Sequence, residues 1–334
     1  MKVLLTGATG LVGHATLLAL LARGHEVLAV GHTQLPQIPP EAGAKKMATA
    51  MQCDLIDAHA VERMLLDNYP DAIINAAAAS SPAAVDADPV AAELLNIVLP
   101  RQLAQFAFHL SARFLHISTD YVFDGEHGPY RSTDMPEPRS LYGQFKLSAE
   151  KEVLRYGGDF VVVLRITMVN GDSTAGNRGV HEKLFQAWAA GQVTPLYVDE
   201  FRQPVSAVNV GDVLTELLER PNLHGLFHWA GPDTLSRFEI GQAILRHFHL
   251  PENLIKAARL ADQPDAHTRP RRLEFILPPL LGKLRSQPTP FALQLDELSV
   301  PPNCLDWYNK TRLNTGTDAG QGAVTRRLVQ GRDF

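Results

Sequence analysis

The sequence predicts an α/β protein: a doubly wound parallel sheet with a smaller C-terminal α/β lobe. Two observations predict it. Short apolar runs alternate with helical patterns through the first half of the chain, the rhythm of a parallel sheet with crossover helices. The first run, Val3-Leu4-Leu5, passes directly into Thr6-Gly7-Ala8-Thr9-Gly10-Leu11-Val12-Gly13, and a helical pattern opens at Ala15. Strand, glycine turn and helix in that order make the phosphate-binding corner of a dinucleotide site, as in a Rossmann-type fold. Gly7 lets the chain leave the strand sharply. Gly10 lacks a Cβ that would block a pyrophosphate, and Gly13 lets the helix pack close to the sheet. Thr9, Leu11 and Val12 share this turn, where helix amides and the positive dipole end face the phosphates.

Composition narrows the class. The chain has 334 residues, enough for one large domain or two smaller ones. It is 45% hydrophobic and 20% charged, as expected of a soluble globular protein. A net charge of -5 provides no basic field for nucleic acid or acidic membranes. No apolar run reaches the ~18 residues of a membrane span. Cys53 and Cys304 make no disulfide framework, so a reducing, cytoplasmic setting is expected. The N-terminal apolar stretch is broken by three glycines, two threonines and His14, which argues against a secretory signal.

Glu26–Val30 reads as the second strand. An NAD-preferring site usually ends this strand in Asp or Glu, to bond the ribose 2′-hydroxyl. Here Gly31, His32 and Thr33 follow, and no carboxylate appears before Glu41. His32 and Thr33 are therefore candidate donors to a 2′-phosphate, which favours NADP(H), with NAD(H) as the alternative. Residues 34–47 read as loop, and 48–53 as a weak third strand. Asp54, followed by Leu55, either accepts from an adenine amino group or caps the helix beginning near Ala58. Asp71–Asn75 is a fourth strand, and the small residues Ala76 and Ala77 after it let backbone approach a flat ligand. Helical patterns at 85–95 and 100–111 lead to a fifth strand at 113–117 and to Ser118-Thr119.

Ser140 is placed to cap the next helix, which carries Tyr142 and Lys146. Residues four apart share one face, one turn apart. A free tyrosine titrates near pH ~10, and a fixed ammonium beside it favours the phenolate. The pair can then pass a proton to or from a substrate oxygen near neutral pH, with the hydroxyl of Thr119 or Ser118 holding the same oxygen.

These pieces resemble the extended short-chain dehydrogenase/reductases. The run 117–125, Ile-Ser-Thr-Asp-Tyr-Val-Phe-Asp-Gly, is similar to the dTDP-4-dehydrorhamnose reductase branch, as are 202–205, 208–213 and 225–231. The resemblance covers roughly residues 1–300. Phe227-His228-Trp229, the stretch through Pro251 and Arg269-Pro270-Arg271 also resemble the regulatory β-subunit of methionine adenosyltransferase, a non-enzymatic relative. The reductase resemblance implies Thr119, Tyr142 and Lys146 as catalytic residues. It implies Asn75, Ala76, Ala77, Ser118 and Ile166 beside the cofactor. It implies Asp120, Tyr121, Phe123, Met168, Gln203 and Arg269 beside a nucleotide-linked sugar. Met168 stands where that branch carries a tryptophan that packs on the sugar. Three functions follow: a reductase of a nucleotide-linked 4-keto-6-deoxysugar, a nucleotide-binding regulatory subunit without turnover, or an epimerase with tightly held NAD. A homodimer or a protein partner is left open.

The expected organisation is a cofactor domain over 1–165 with a return segment at about 204–220. Segments 166–203 and 221–309 form the substrate domain, and 310–334 a polar tail. Arg269, Arg271 and Arg272 form a basic cluster suited to a diphosphate or to solvent. The apolar stretch 273–284 is expected to be an added core helix, with a cover for the site or a subunit contact as alternatives. No metal-ligand spacing is visible.

Overall fold

A computed structural model describes residues 1–40 and 42–314. The first half runs β1 (Lys2–Thr6), α1 (Leu11–Ala22), β2 (Glu26–Gly31), α2 (Ala42–Met47), β3 (Ala48–Gln52), α3 (Ala58–Asn68) and β4 (Ala72–Asn75). There follow α4 (Pro82–Ala87), α5 (Pro89–Glu93), a π turn at Leu94–Val98 and α6 (Leu99–Leu110). β5 (Arg113–Thr119), α7 (Leu141–Gly157) and β6 (Val161–Ile166) complete it. The second half holds β7 (Val169–Asn170), α8 (Val180–Ala189), β8 (Thr194–Tyr197), β9 (Phe201–Arg202), β10 (Val205–Ser206) and α9 (Ala207–Glu219). It ends in β11 (Gly225–Trp229), β12 (Leu235–Ser236), α10 (Arg237–His247), β13 (Ile255–Ala258), α11 (Phe291–Leu295) and α12 (Leu305–Asn314).

Seven parallel strands form the main sheet in the order β11-β6-β5-β4-β1-β2-β3. Helices cover both faces, so the central strands are continuous apolar runs rather than alternating ones. Leu17, Leu20, Val210 and Leu214 pack on one face, and Val61, Leu65, Leu103 and Val153 on the other. Full burial of each such side chain is worth about 1.5–3 kcal/mol. α9 crosses α1 closely because Gly211 has no side chain: a Cβ there would lie 2.8 Å from the Ala15 carbonyl oxygen. Strand order diverges on either side of β1, which opens a crevice at the strand C-terminal ends. The smaller lobe has its own core of Phe185, Trp188, Ile244, Phe248 and Leu295. Among the described residues, no helix is long and apolar enough to cross a membrane.

Four expectations change. Residues 42–47 are helical rather than loop. Asp57, not Asp54, caps α3, accepting from the backbone N–H groups of His59 and Ala60. Residues 225–229, expected with the substrate segments, form the edge strand of the main sheet: their backbone pairs in parallel with β6, and Phe227 and Trp229 bury in the core. Residues 273–284 are an irregular strap, not a helix. Pro278 and Pro279 lack the N–H groups a helix needs. The strap instead bonds backbone to backbone with Tyr130, at 2.8 Å from Tyr130 N to Glu274 O and 2.8 Å from Ile276 N to Tyr130 O. Leu273, Phe275 and Leu277 bury against Val122 and Phe123. Of the expected tail, 310–314 belong to α12, and 315–334 lie outside the described residues.

Candidate active site

One cavity of about 680 Å³ runs along the strand C-terminal ends. Its floor at one end is the glycine turn. Gly7 has φ +68°, and a Cβ there would sit 2.6 Å from the Ala76 backbone, so the turn and the end of β4 touch. Gly13 owes its identity to the turn rather than to the sheet, since a Cβ would come 2.1 Å from Gly7 O. Gly10 is the N-cap of α1, so no side chain fills that helix N-terminus. Backbone amides, a positive dipole end and an open cradle fit a pyrophosphate. Thr9, Leu11, Val12, Leu55, Ala76, Ala77 and Ile166 line the same space.

The adenosine end departs from expectation. His32 and Asp54 line the cavity, and Thr33 is not among its lining residues. The His32 ring lies 3.6 Å from the Asp54 carboxylate, both half-exposed or more. β3 thus brings in the carboxylate that β2 lacks, a juxtaposition set by strand pairing and invisible in spacing. Asn75 lies beneath the cavity, where its Oδ1 accepts from Thr6 Oγ1 at 2.6 Å and from Ala77 N at 3.2 Å.

At the centre sit Thr119, Tyr142 and Lys146, all buried yet lining the cavity. Ser140 caps α7 by accepting from Gly143 N, a contact worth about 1 kcal/mol. That cap starts the helix one turn before Lys146. Tyr142 and Thr119 line the cavity together, and the Thr119 hydroxyl donates to Asp120 Oδ1 at 3.1 Å. Ser118 is not the alternative partner: its hydroxyl donates to Glu150. Glu150 is held in turn by Arg165, at 2.8 Å and 2.6 Å, with both residues almost fully buried. Removing one partner of such a pair costs about 3–5 kcal/mol. Lys146 Nζ donates to Ile117 O at 2.6 Å and lies 3.1 Å from His116 Nε2.

The electrostatics correct the simple lysine argument. Burial raises the Tyr142 pKa, and the Asp120 charge and Tyr121 raise it further, with the Thr119 hydroxyl opposing. Burial also lowers the Lys146 pKa to about 8, with Glu150 opposing. In the chain alone, desolvation therefore outweighs any help from the ammonium. Asp120 is pushed up to about 6 by burial, against the pull of Arg202.

The other end is cationic. Arg202, Arg237 and Arg269 line it, with Glu200 and Met168. Glu200 accepts from Arg202 at 2.7 Å and from Arg269 at 2.9 Å. Arg237 donates to the Met168 sulfur, and burial lowers its pKa. Arg178 reaches from the second lobe toward the glycine turn, 3.7 Å from where a Gly10 Cβ would be. Of the expected basic cluster only Arg269 lines the cavity; Arg272 pairs with Glu274, and Arg271 is not among the lining residues. Asp120 and Tyr121 line the cavity, whereas Phe123 and Gln203 do not. Phe123 stacks on Tyr130 in the core at 4.1 Å, and Gln203 Oε1 accepts from Phe275 N. Arg202, not its neighbour, was the informative residue of the 202–205 motif. Arg178 and Arg237 carry no local signal, because only the tertiary fold brings them to the cavity. Among the described residues, Asp172, His181 and Glu182 come close enough to share a metal, but Glu182 already accepts four hydrogen bonds.

The RmlD substrate binding domain family matches residues 1–298. The chain belongs to that family. Methionine adenosyltransferase 2 subunit beta of Xenopus laevis is 30% identical over 307 residues, covering 90% of this chain and 87% of that protein. A probable low-salt glycan biosynthesis reductase of Haloferax volcanii is 31% identical over 293 residues, covering 86% and 94%. Among solved structures, a hypothetical dTDP-4-dehydrorhamnose reductase from Sulfolobus tokodaii superposes with a TM-score of 0.74 at 28% identity, covering 90% of this chain and all of that one. The dTDP-4-dehydrorhamnose reductase of Bacillus anthracis, in complex with NADP, also gives 0.74, at 19% identity and 88% and 97% coverage. Membership in the RmlD family fits the sheet order and the site at its switch point.

Proposed function

We propose that this RmlD-family chain is an NADP(H)-dependent reductase of a nucleotide-linked 4-keto-6-deoxysugar. The observation that carries the reading is one cavity lined together by Thr119, Tyr142 and Lys146, by the glycine turn and by a cluster of arginines. A bound nicotinamide supplies the hydride. Thr119 orients the carbonyl, and Tyr142 gives the proton to the oxygen as charge develops on it. A raised Tyr142 pKa suits that donor role, because the tyrosine stays protonated until the oxygen demands its proton. Lys146 holds the ribose from below. Arg202, Arg237 and Arg269 outnumber Glu200 and so favour a diphosphate.

The second reading is a nucleotide-binding regulatory subunit, favoured by the 30% identity to methionine adenosyltransferase 2 subunit beta across 90% of this chain. Single-turnover hydride transfer, followed by NADPH absorbance over a panel of nucleotide-linked 4-keto sugars, separates the two. The reductase reading expects transfer in the wild type. It expects a loss of about 10²–10⁴-fold in Tyr142→Phe with cofactor affinity little changed. Lys146→Met damages both transfer and binding. No transfer to any member of the panel counts against the reductase reading and in favour of the regulatory one.

A further inference from the structure

Lys146 is backed by a buried polar chain that the proposed chemistry does not use. His116, on β5, is fully buried. Its Nε2 lies 3.1 Å from Lys146 Nζ, and its Nδ1 lies 3.1 Å from Asn75 Nδ2. Which ring nitrogen carries the proton follows from a donor that cannot change. The backbone N–H of Ala77 can only donate, and it points at one oxygen of the Asn75 amide, 3.2 Å away. Thr6 Oγ1 donates to the same oxygen at 2.6 Å. The amide oxygen is therefore on that side, and the Asn75 NH₂ faces His116 Nδ1. Nδ1 must accept. A neutral imidazole with an accepting Nδ1 carries its proton on Nε2. Burial holds the ring neutral, and the Lys146 charge adds to this.

We propose that Asn75 fixes His116 as its Nε2–H tautomer, and that this ring proton stabilises Lys146 as a neutral amine over an ammonium. An ammonium has three donors and no acceptor, so it opposes Nε2–H donor to donor. An amine accepts from Nε2–H through its lone pair and still donates to Ile117 O at 2.6 Å. The competing arrangement, with Nδ1–H and a flipped Asn75, turns NH₂ against the Ala77 N–H in a site where a lost bond costs about 1–3 kcal/mol. The other charged groups around Lys146 are Glu150, which favours the ammonium, Arg165, which is committed to Glu150, and Asp120 and Tyr142 at the cavity edge. His116 is thus a positioning residue. A Lys146 ammonium that passes its proton to the Tyr142 phenolate, left once that tyrosine has protonated the carbonyl oxygen, becomes an amine with the His116 Nε2–H donor already in place behind it. This catalytic consequence rests on the reductase reading; the hydrogen-bond register does not.

The test is nitrogen-15 NMR of the histidine rings in the full cofactor-free chain, with a carbon-13 titration of the Lys146 ε-methylene, assigned by Lys146→Met. The expected wild type has Nε2 protonated and Nδ1 bare throughout the Lys146 titration. Asn75→Asp offers only acceptors at the same positions, so the ring proton moves to Nδ1. His116→Gln can turn its amide oxygen to Lys146 without adding charge, so the Lys146 midpoint rises by about one unit or more. An Nδ1–H tautomer in the wild type overturns the proposal. So does a Lys146 midpoint unmoved in folded His116→Gln. Neither readout uses hydride transfer, so a chain without turnover leaves this test intact.

Discussion

The two ends of the cavity are built by opposite means. The glycine end is backbone: a turn, a helix N-terminus and the small residues after β4, with no charged group needed for its shape. The arginine end is side chain: Arg202, Arg237 and Arg269 on or beside short strands, held apart by Glu200 and facing a buried Asp120. Backbone dipoles cost little to hold in place, because the helix forms anyway. Buried charges cost desolvation, which the fold must offset elsewhere. The glycine end is thus neutral to stability, and the arginine end taxes it.

Three experiments sharpen or break that contrast. The largest effect is expected from Asp120→Asn. A carboxyl raised from 3.8 to about 6 binds its proton more tightly folded than unfolded. Stability is therefore lost as pH rises from about 4 to about 6, by about 3 kcal/mol for a two-unit shift. Denaturant unfolding should show Asp120→Asn more stable than wild type above pH 6 by about that amount, and equal to it at the acid end of the window. An equal difference at all pH values means the charge is not the cause. Next comes Gly10→Val, which displaces a pyrophosphate from the helix amides. Losing two charge-assisted contacts costs cofactor affinity about a hundredfold. Calorimetry with NADPH and NADH should show that loss for both; unchanged affinity in a folded variant moves the cofactor elsewhere. Smallest is Arg237→Met, one contact at the other end. It should raise the KM for a nucleotide-linked sugar about tenfold and leave cofactor affinity alone. A matching loss of cofactor affinity would erase the division between the ends.

The same contrast governs what could be read from the sequence. Backbone sites are local, so Gly7, Gly10 and the Tyr142–Lys146 spacing each announce themselves within one turn of chain. Their surroundings do not. His32 looked free of carboxylates until β3 brought Asp54 beside it. Gln203 and Phe123 sit in recognisable motifs yet face the core, because Phe275 of the strap lies against both. Arg178 and Arg237 lie far apart in sequence and reach one cavity only through tertiary packing. The strap's apolar content suggests a helix, and Pro278 and Pro279 forbid one.

The Ser118–Glu150–Arg165 link has a further meaning. It ties the end of β5 to α7 and to β6 in one buried knot. Thr119 follows Ser118 directly, and Tyr142 lies on the same helix as Glu150. Thr119 and Tyr142 are therefore anchored through one buried cluster. Pulling the end of β5 away from α7 means breaking a buried ion-pair cluster, at a cost of about 3–5 kcal/mol.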